Sequence, residues 1–171
     1  IQSLQKKLRG YLSGEYYNDI DMINAFPTLL CYFMNTYYPS IPIINLKKYV
    51  ENRDKLLIKY DSSKMEVLCW IHRDFAYKGD NKLITSLDSD FKKIQSTLWN
   101  DTENPICNLI DKKSINSTNK KGSLVNRVLG ILENDILQGV IKDLKDNVGV
   151  PYYDGAFIDK PFHAALPVTP R

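Results

Sequence analysis

Two short acidic segments near opposite ends of the chain constrain its fold more than any other feature. The first, Asn18-Asp19-Ile20-Asp21-Met22, belongs to an alternating run from Tyr16 to Met22 that puts Tyr17, Asp19 and Asp21 on one face, which predicts a strand. In the second, Val150 to Asp159, the dipeptide Asp154-Gly155 stands between aromatic and apolar runs. Both residues tolerate positive φ, so Tyr152-Tyr153 is expected to lead into a tight turn at Asp154-Gly155, with Ala156-Phe157-Ile158 returning. Turn geometry alone explains one aspartate. Nothing structural asks for both Asp19 and Asp21 on one face, with Cα atoms roughly 6.5–7 Å apart. Like charges that close repel unless solvent, a cation or a basic partner offsets them. A shared cation is one reading; an edge strand facing water and a structural turn are the alternatives.

Between these segments the pattern is helical. Residues 1–12 read as a basic helix, and Asn24 is placed to cap a helix over Pro27–Tyr38 that is apolar almost all round and ended by Pro39. Further helices are expected over Asn45–Lys59, from Ser62 or Ser63 to about Tyr77, and over Leu87–Trp99. The stretch from Asn100 to Gly122 is polar and reads as a mobile loop. Ser123 then opens the longest helix, to about Asn147, with an apolar stripe of Leu124, Val128, Ile131, Leu132, Ile136, Val140 and Leu144.

An apolar fraction of 43% and a charged fraction of 25% are ordinary for a globular domain, and 171 residues can bury a sizeable core. No apolar run approaches the roughly 20 residues needed to span a bilayer, so no membrane partner is expected. The start at Ile1 and the stop at Arg171 are those expected of a piece of a larger protein. Cys31, Cys69 and Cys107 are odd in number and widely spaced, which fits buried thiols in a reducing, intracellular compartment. His72 and His163 stand without ligand partners at metal-binding spacing. A formal charge of +3 does not by itself demand nucleic acid, although Lys6-Lys7-Arg9, Lys47-Lys48 and the lysines from Lys112 to Lys121 cluster locally.

Carboxylates on separate rigid elements suit phosphoryl and nucleotidyl transfer, where two Mg²⁺ ions about 3.5–4 Å apart need bridging ligands. Asp21-Met22-Ile23-Asn24-Ala25-Phe26-Pro27-Thr28-Leu29-Leu30 is similar to motif A of DNA polymerases: an aspartate, a bulky residue five positions on, then a helix. Tyr152-Tyr153-Asp154-Gly155 resembles motif C of family A polymerases. Together they most resemble the polymerase domain of virophages and related transposons, a divergent relative of family A enzymes commonly fused to a superfamily 3 helicase. The resemblance covers roughly residues 1–160 and extends to Lys121-Gly122-Ser123 leading into a helix with Asn126 and Glu133.

That resemblance implies an α+β fold, a palm-like small antiparallel sheet with packed, predominantly α-helical surroundings. It implies one palm-like domain over 1–171, with a fingers-like helical insertion and polar loop over about 45–122. Asp21 and Asp154 would be the catalytic, metal-binding aspartates, Asp19 a third carboxylate, and Mg²⁺ or Mn²⁺ the cofactor. Phe26 would exclude a ribose 2′-hydroxyl, and Lys64 and Arg73 would contact the triphosphate. Lys120, Lys121, Asn126 and Arg127 would follow the nucleic acid. The implied partners are a primer–template, deoxynucleoside triphosphates and a fused or associated helicase, at a viral replication site or in the host cytoplasm.

The chain departs from family A where Gly155 replaces a second acidic residue, where the spacing of Arg53, Lys64, Arg73, Tyr77 and Gly79 misses motif B, and where no thumb or exonuclease fits. Two other readings stay open. One is a non-catalytic nucleic-acid-binding or degenerate palm module of a replication protein. The other is a glycosyltransferase holding Mn²⁺ and a nucleotide-sugar on Asp19-Ile20-Asp21, against which stands the lack of a preceding βα unit.

Overall fold

A computed structural model describes residues 16–115, 118–144, 148–152 and 155–159; at 18–21, 148–152 and 159 the backbone alone is described. The elements in chain order are β1 (Tyr17–Asp21), α1 (Ala25–Tyr37), α2 (Ile44–Lys59), α3 (Lys64–Ile71), α4 (Lys82–Asn100), α5 (Pro105–Asn108), a 3-10 turn (Lys112–Ser114), α6 (Lys120–Leu144), β2 (Val148–Tyr152) and β3 (Gly155–Asp159). The chain divides into two compact units, Asn24–Leu132 and the pair of segments Ile1–Ile23 with Glu133–Arg171.

The expected α+β fold built around a palm-like sheet is corrected: the protein is mostly helical. Its main core cluster runs from Leu29 to Leu132 and contains no strand residue. The reason lies in segment lengths. Helices of 13, 16, 19 and 25 residues carry long apolar stripes, whereas each strand has five residues and little side-chain surface to bury.

In the unit Asn24–Leu132, α1 buries Leu29, Leu30, Phe33 and Met34, and Pro39 pushes Tyr38 out of the helical region and ends it. On α4, Leu83, Ile84, Leu87, Phe91, Ile94 and Leu98 recur at helical spacing and are all buried. Ser63 accepts from the Glu66 N–H at 3.1 Å to start α3, and Asn81 accepts from Leu83 and Ile84 at 3.0 and 3.3 Å to start α4. That cap begins α4 five residues before the expected Leu87.

Helix α2 has no such residue, because Ile43 occupies its N-cap. Its orphan N–H groups are satisfied from another helix: the buried Asp90 carboxylate accepts from Asn45 at 2.7 Å and Leu46 at 3.0 Å. The polar stretch 100–122 is also anchored. It carries α5, capped by Asn104, and sends Cys107, Ile110 and Ile115 into the core. Cys31 and Cys107 are buried as expected, with burial pushing the Cys31 thiol up to about 12, but Cys69 is exposed.

In the other unit the strands form an antiparallel sheet in the order β1-β3-β2. Pro151, which cannot donate to a ladder, sits on the edge strand β2, where the register slips between Val148 and Pro151. No helix of the described residues is long and apolar enough to cross a membrane.

Asp90→Ala should lower stability by about 2–4 kcal/mol, since it strips a buried and a partly buried backbone N–H group of a charged acceptor. Urea unfolding measures this; a loss within about 0.5 kcal/mol, typical of surface positions, would contradict the capping role.

Candidate active site

Backbone pairing fixes the neighbourhood of the first acidic segment. Strand β1 runs antiparallel to β3 with Tyr17 opposite Asp159, Asp19 opposite Phe157 and Asp21 opposite Gly155. Gly155 is the residue that directly follows Asp154 in the chain. The two acidic segments, far apart in sequence, are therefore side by side on adjacent strands. Gly155 also pairs with Tyr152 on β2, and the expected turn at Asp154-Gly155 begins outside the described residues. Asp154 itself lies outside the described residues.

The alternation of a strand gives positions 17, 19 and 21 a common face. Tyr17 on that face meets Phe157 with ring centroids 6.2 Å apart. On β3, Ala156, Phe157 and Ile158 are all buried, although successive residues point to opposite faces, so the central strand is covered on both sides. Backbone positions carrying Asp19 and Asp21 thus flank a buried apolar strand. Among the described side chains no group of three His, Cys, Asp or Glu is placed to hold a metal; the carboxylates of Asp19, Asp21 and Asp154 are not among them.

The remaining candidates belong to the unit Asn24–Leu132. Asn24 occupies the N-cap of α1 with φ 57°, but its side chain makes no capping bond, and its buried amide nitrogen and oxygen have no partner among the described residues. Phe26, in the first turn of α1, packs edge-on against the His72 ring with centroids 5.4 Å apart. Burial holds the His72 imidazole below its ordinary pKa, and its Nδ1 is buried without a hydrogen bond among the described residues.

Lys64 and Arg73 do not converge. Lys64 opens α3 and Arg73 lies beyond its end, so the length of the helix from Lys64 to Ile71, about 10 Å along the axis, stands between them. The Arg73 guanidinium instead lies over Trp70 at 4.9 Å and over Phe75 at 5.4 Å.

Lys120 and Lys121 open α6, and the Lys121 ammonium donates to Ser96 at 3.3 Å. Arg127 donates to the Ser114 hydroxyl at 2.7 Å and to its carbonyl at 3.3 Å, tying down the 3-10 turn. Asn126 and Gly130 are exposed, with open space where a Gly130 side chain would stand.

Two residues that sequence reasoning did not single out, Asn119 and Asp74, hold the start of α6. The Asn119 amide donates to the His72 carbonyl at 2.6 Å and accepts from the Asp74 N–H at 3.0 Å. The Asp74 carboxylate accepts from Lys121 at 2.9 Å and from Gly122. A Cβ at Gly122 would run into the His72 carbonyl, so glycine is required by close approach. Asn119 just before a helix is a readable cap signal, but Asp74, 47 positions from its partner, has none.

Comparison with protein-family models, curated proteins and solved structures finds no match to this chain.

The depressed His72 pKa has a definite sign in stability. Between its folded value and the unfolded value of about 6.5 the unfolded chain binds the extra proton, so stability is full above 6.5 and is lost as pH falls through that window. An NMR titration should place the His72 midpoint below 6.5, and Phe26→Ala, by uncovering the ring, should move it upward. A midpoint at or above 6.5 in the unaltered chain would contradict the buried neutral imidazole.

Proposed function

We propose that the chain is a metal-dependent nucleotidyltransferase of the DNA-polymerase kind, with Asp21 and Asp154 as its shared carboxylates. One observation carries the reading: Asp21 stands directly across the β1–β3 ladder from Gly155. Cross-strand Cα atoms lie about 4.5–5.5 Å apart, and a trans peptide holds successive Cα atoms 3.8 Å apart. Asp154 precedes Gly155 by one peptide bond in the sequence, which is what makes it and Asp21 candidates to serve one ion. Oxygen donors of this kind suit Mg²⁺ or Mn²⁺.

When bound, such an ion pair lowers the pKa of the attacking hydroxyl and neutralises charge on the leaving pyrophosphate. In the reaction, a primer 3′-oxygen forms the new bond to the α-phosphorus of a nucleoside triphosphate, pyrophosphate departs and the hydroxyl proton is lost to solvent. The chain's part is to hold its carboxylates at fixed positions. A strand whose neighbour is buried on both faces does this with little freedom. Asp19, two positions before Asp21, is the candidate third carboxylate. Phe26, five positions after Asp21, is the candidate ribose gate, and its fixed packing on His72 suits a steric role. Of the four basic and polar candidates at the start of α6, Lys120 and Asn126 are exposed and ready for strand phosphates, whereas Lys121 and Arg127 already hold Ser96 and Ser114. A primer–template and deoxynucleoside triphosphates are the proposed partners, with a helicase as the proposed neighbour.

The described strands pair antiparallel throughout, which weighs against the nucleotide-sugar reading of Asp19-Ile20-Asp21.

Primer extension by the full protein with Mg²⁺ should fall by at least about a thousandfold, roughly 4 kcal/mol of barrier, in Asp21→Ala and in Asp154→Ala. Extension retained in both variants would end the proposal.

A further inference from the structure

We propose that Phe75 and Arg73 form a stacking platform for an unpaired nucleotide of single-stranded nucleic acid. Phe75 is 60% exposed on the segment between α3 and α4, and its ring meets the nearly buried Trp70 edge-on at 5.5 Å and 84°. The Arg73 guanidinium lies over both rings, and no carboxylate among the described residues pairs with it.

An exposed phenylalanine on a loose loop would fold back onto apolar surface. This segment is denied that freedom, because its backbone is held by side chains from elsewhere. Gln95 donates to the carbonyls of Ile71 and Arg73 at 3.0 and 2.9 Å, Asn119 clasps His72 and Asp74, and the Asp88 carboxylate accepts from Tyr77 at 3.0 Å. The result is a fixed aromatic face with a fixed cation beside it, its N–H edges open to an anion. A nucleotide supplies the complementary pair, a flat base for the ring and a phosphate for the guanidinium. A single exposed ring is far too little surface for a stable protein interface, which buries about 800 Å² on each partner. Because every base has a π-face, the platform takes a strand without reading its sequence.

The inference goes beyond the proposed catalysis and does not require it, since stacking needs neither metal nor triphosphate. Its test is fluorescence anisotropy of a fluorescein-labelled oligothymidylate of about 16 residues with the full chain, in EDTA and without nucleotides. Phe75→Ala should weaken binding by about tenfold or more, and Phe75→Trp should preserve it. Arg73→Gln should lower the salt slope by about 0.7, the value for one phosphate contact on a single strand. On an abasic strand of equal length, Phe75→Ala should make no difference. Circular dichroism confirms that each variant folds, as an exposed side chain predicts. Unaltered affinity in a folded Phe75→Ala variant, or no strand binding by the unaltered chain, would overturn the platform; loss of primer extension alone would not touch it.

Discussion

The antiparallel ladder between Tyr17–Asp21 and Gly155–Asp159 is the constraint on which the functional reading depends. It joins segments separated by more than a hundred residues, and closing so long a loop costs about 4 kcal/mol of chain entropy beyond the constant term. Five backbone pairs alone are a modest return for that cost. Burial of Ala156, Phe157 and Ile158 adds the apolar contribution that makes the pairing worthwhile. A register slip by one residue would turn Asp21 to the opposite face, so the burial pattern that stabilises the ladder also fixes where the carboxylates start.

Within the unit Asn24–Leu132, a second rule recurs: helix ends are satisfied by side chains from distant elements. Asp90 on α4 caps α2, Asp74 after α3 caps α6, and Gln95 and Asn119 take the carbonyls at the end of α3. These bonds work in both directions. They remove the cost of orphan N–H and C=O groups, and they hold the segment 72–77 in one conformation. Phe26 is held in place by the same arrangement, since His72, the ring it packs against, is held through its own carbonyl.

Much of this was legible wherever the cause is local. Ser63 with Glu66 marks a helix start, the apolar run of α1 marks a buried helix, and Asp19 and Asp21 alternate on a strand. Legibility fails where the cause is remote. Helix α3 stops at Ile71 rather than near Tyr77 because Gln95 and Asn119 capture its last carbonyls, and neither partner is visible from the segment itself. The stretch 100–122 reads as loose because it is polar, yet three apolar residues, Cys107, Ile110 and Ile115, pin it to the core. The fold class departs from the expected α+β architecture for a related reason. The two acidic segments signal a sheet, while the apolar helical stripes that carry the core cluster decide the architecture. At the candidate site, the β1 face was readable from alternation, but its pairing with β3 was not, because register across a long loop leaves no local trace.

The most direct test of the account is anomalous scattering from crystals of the full chain soaked in Mn²⁺. A shared metal site predicts a peak within bonding distance, about 2.2 Å, of carboxylate oxygens from both Asp21 and Asp154, or two peaks about 3.5–4 Å apart between them. Well-ordered Asp21 and Asp154 carboxylates facing different surfaces, with no peak between them, would contradict it.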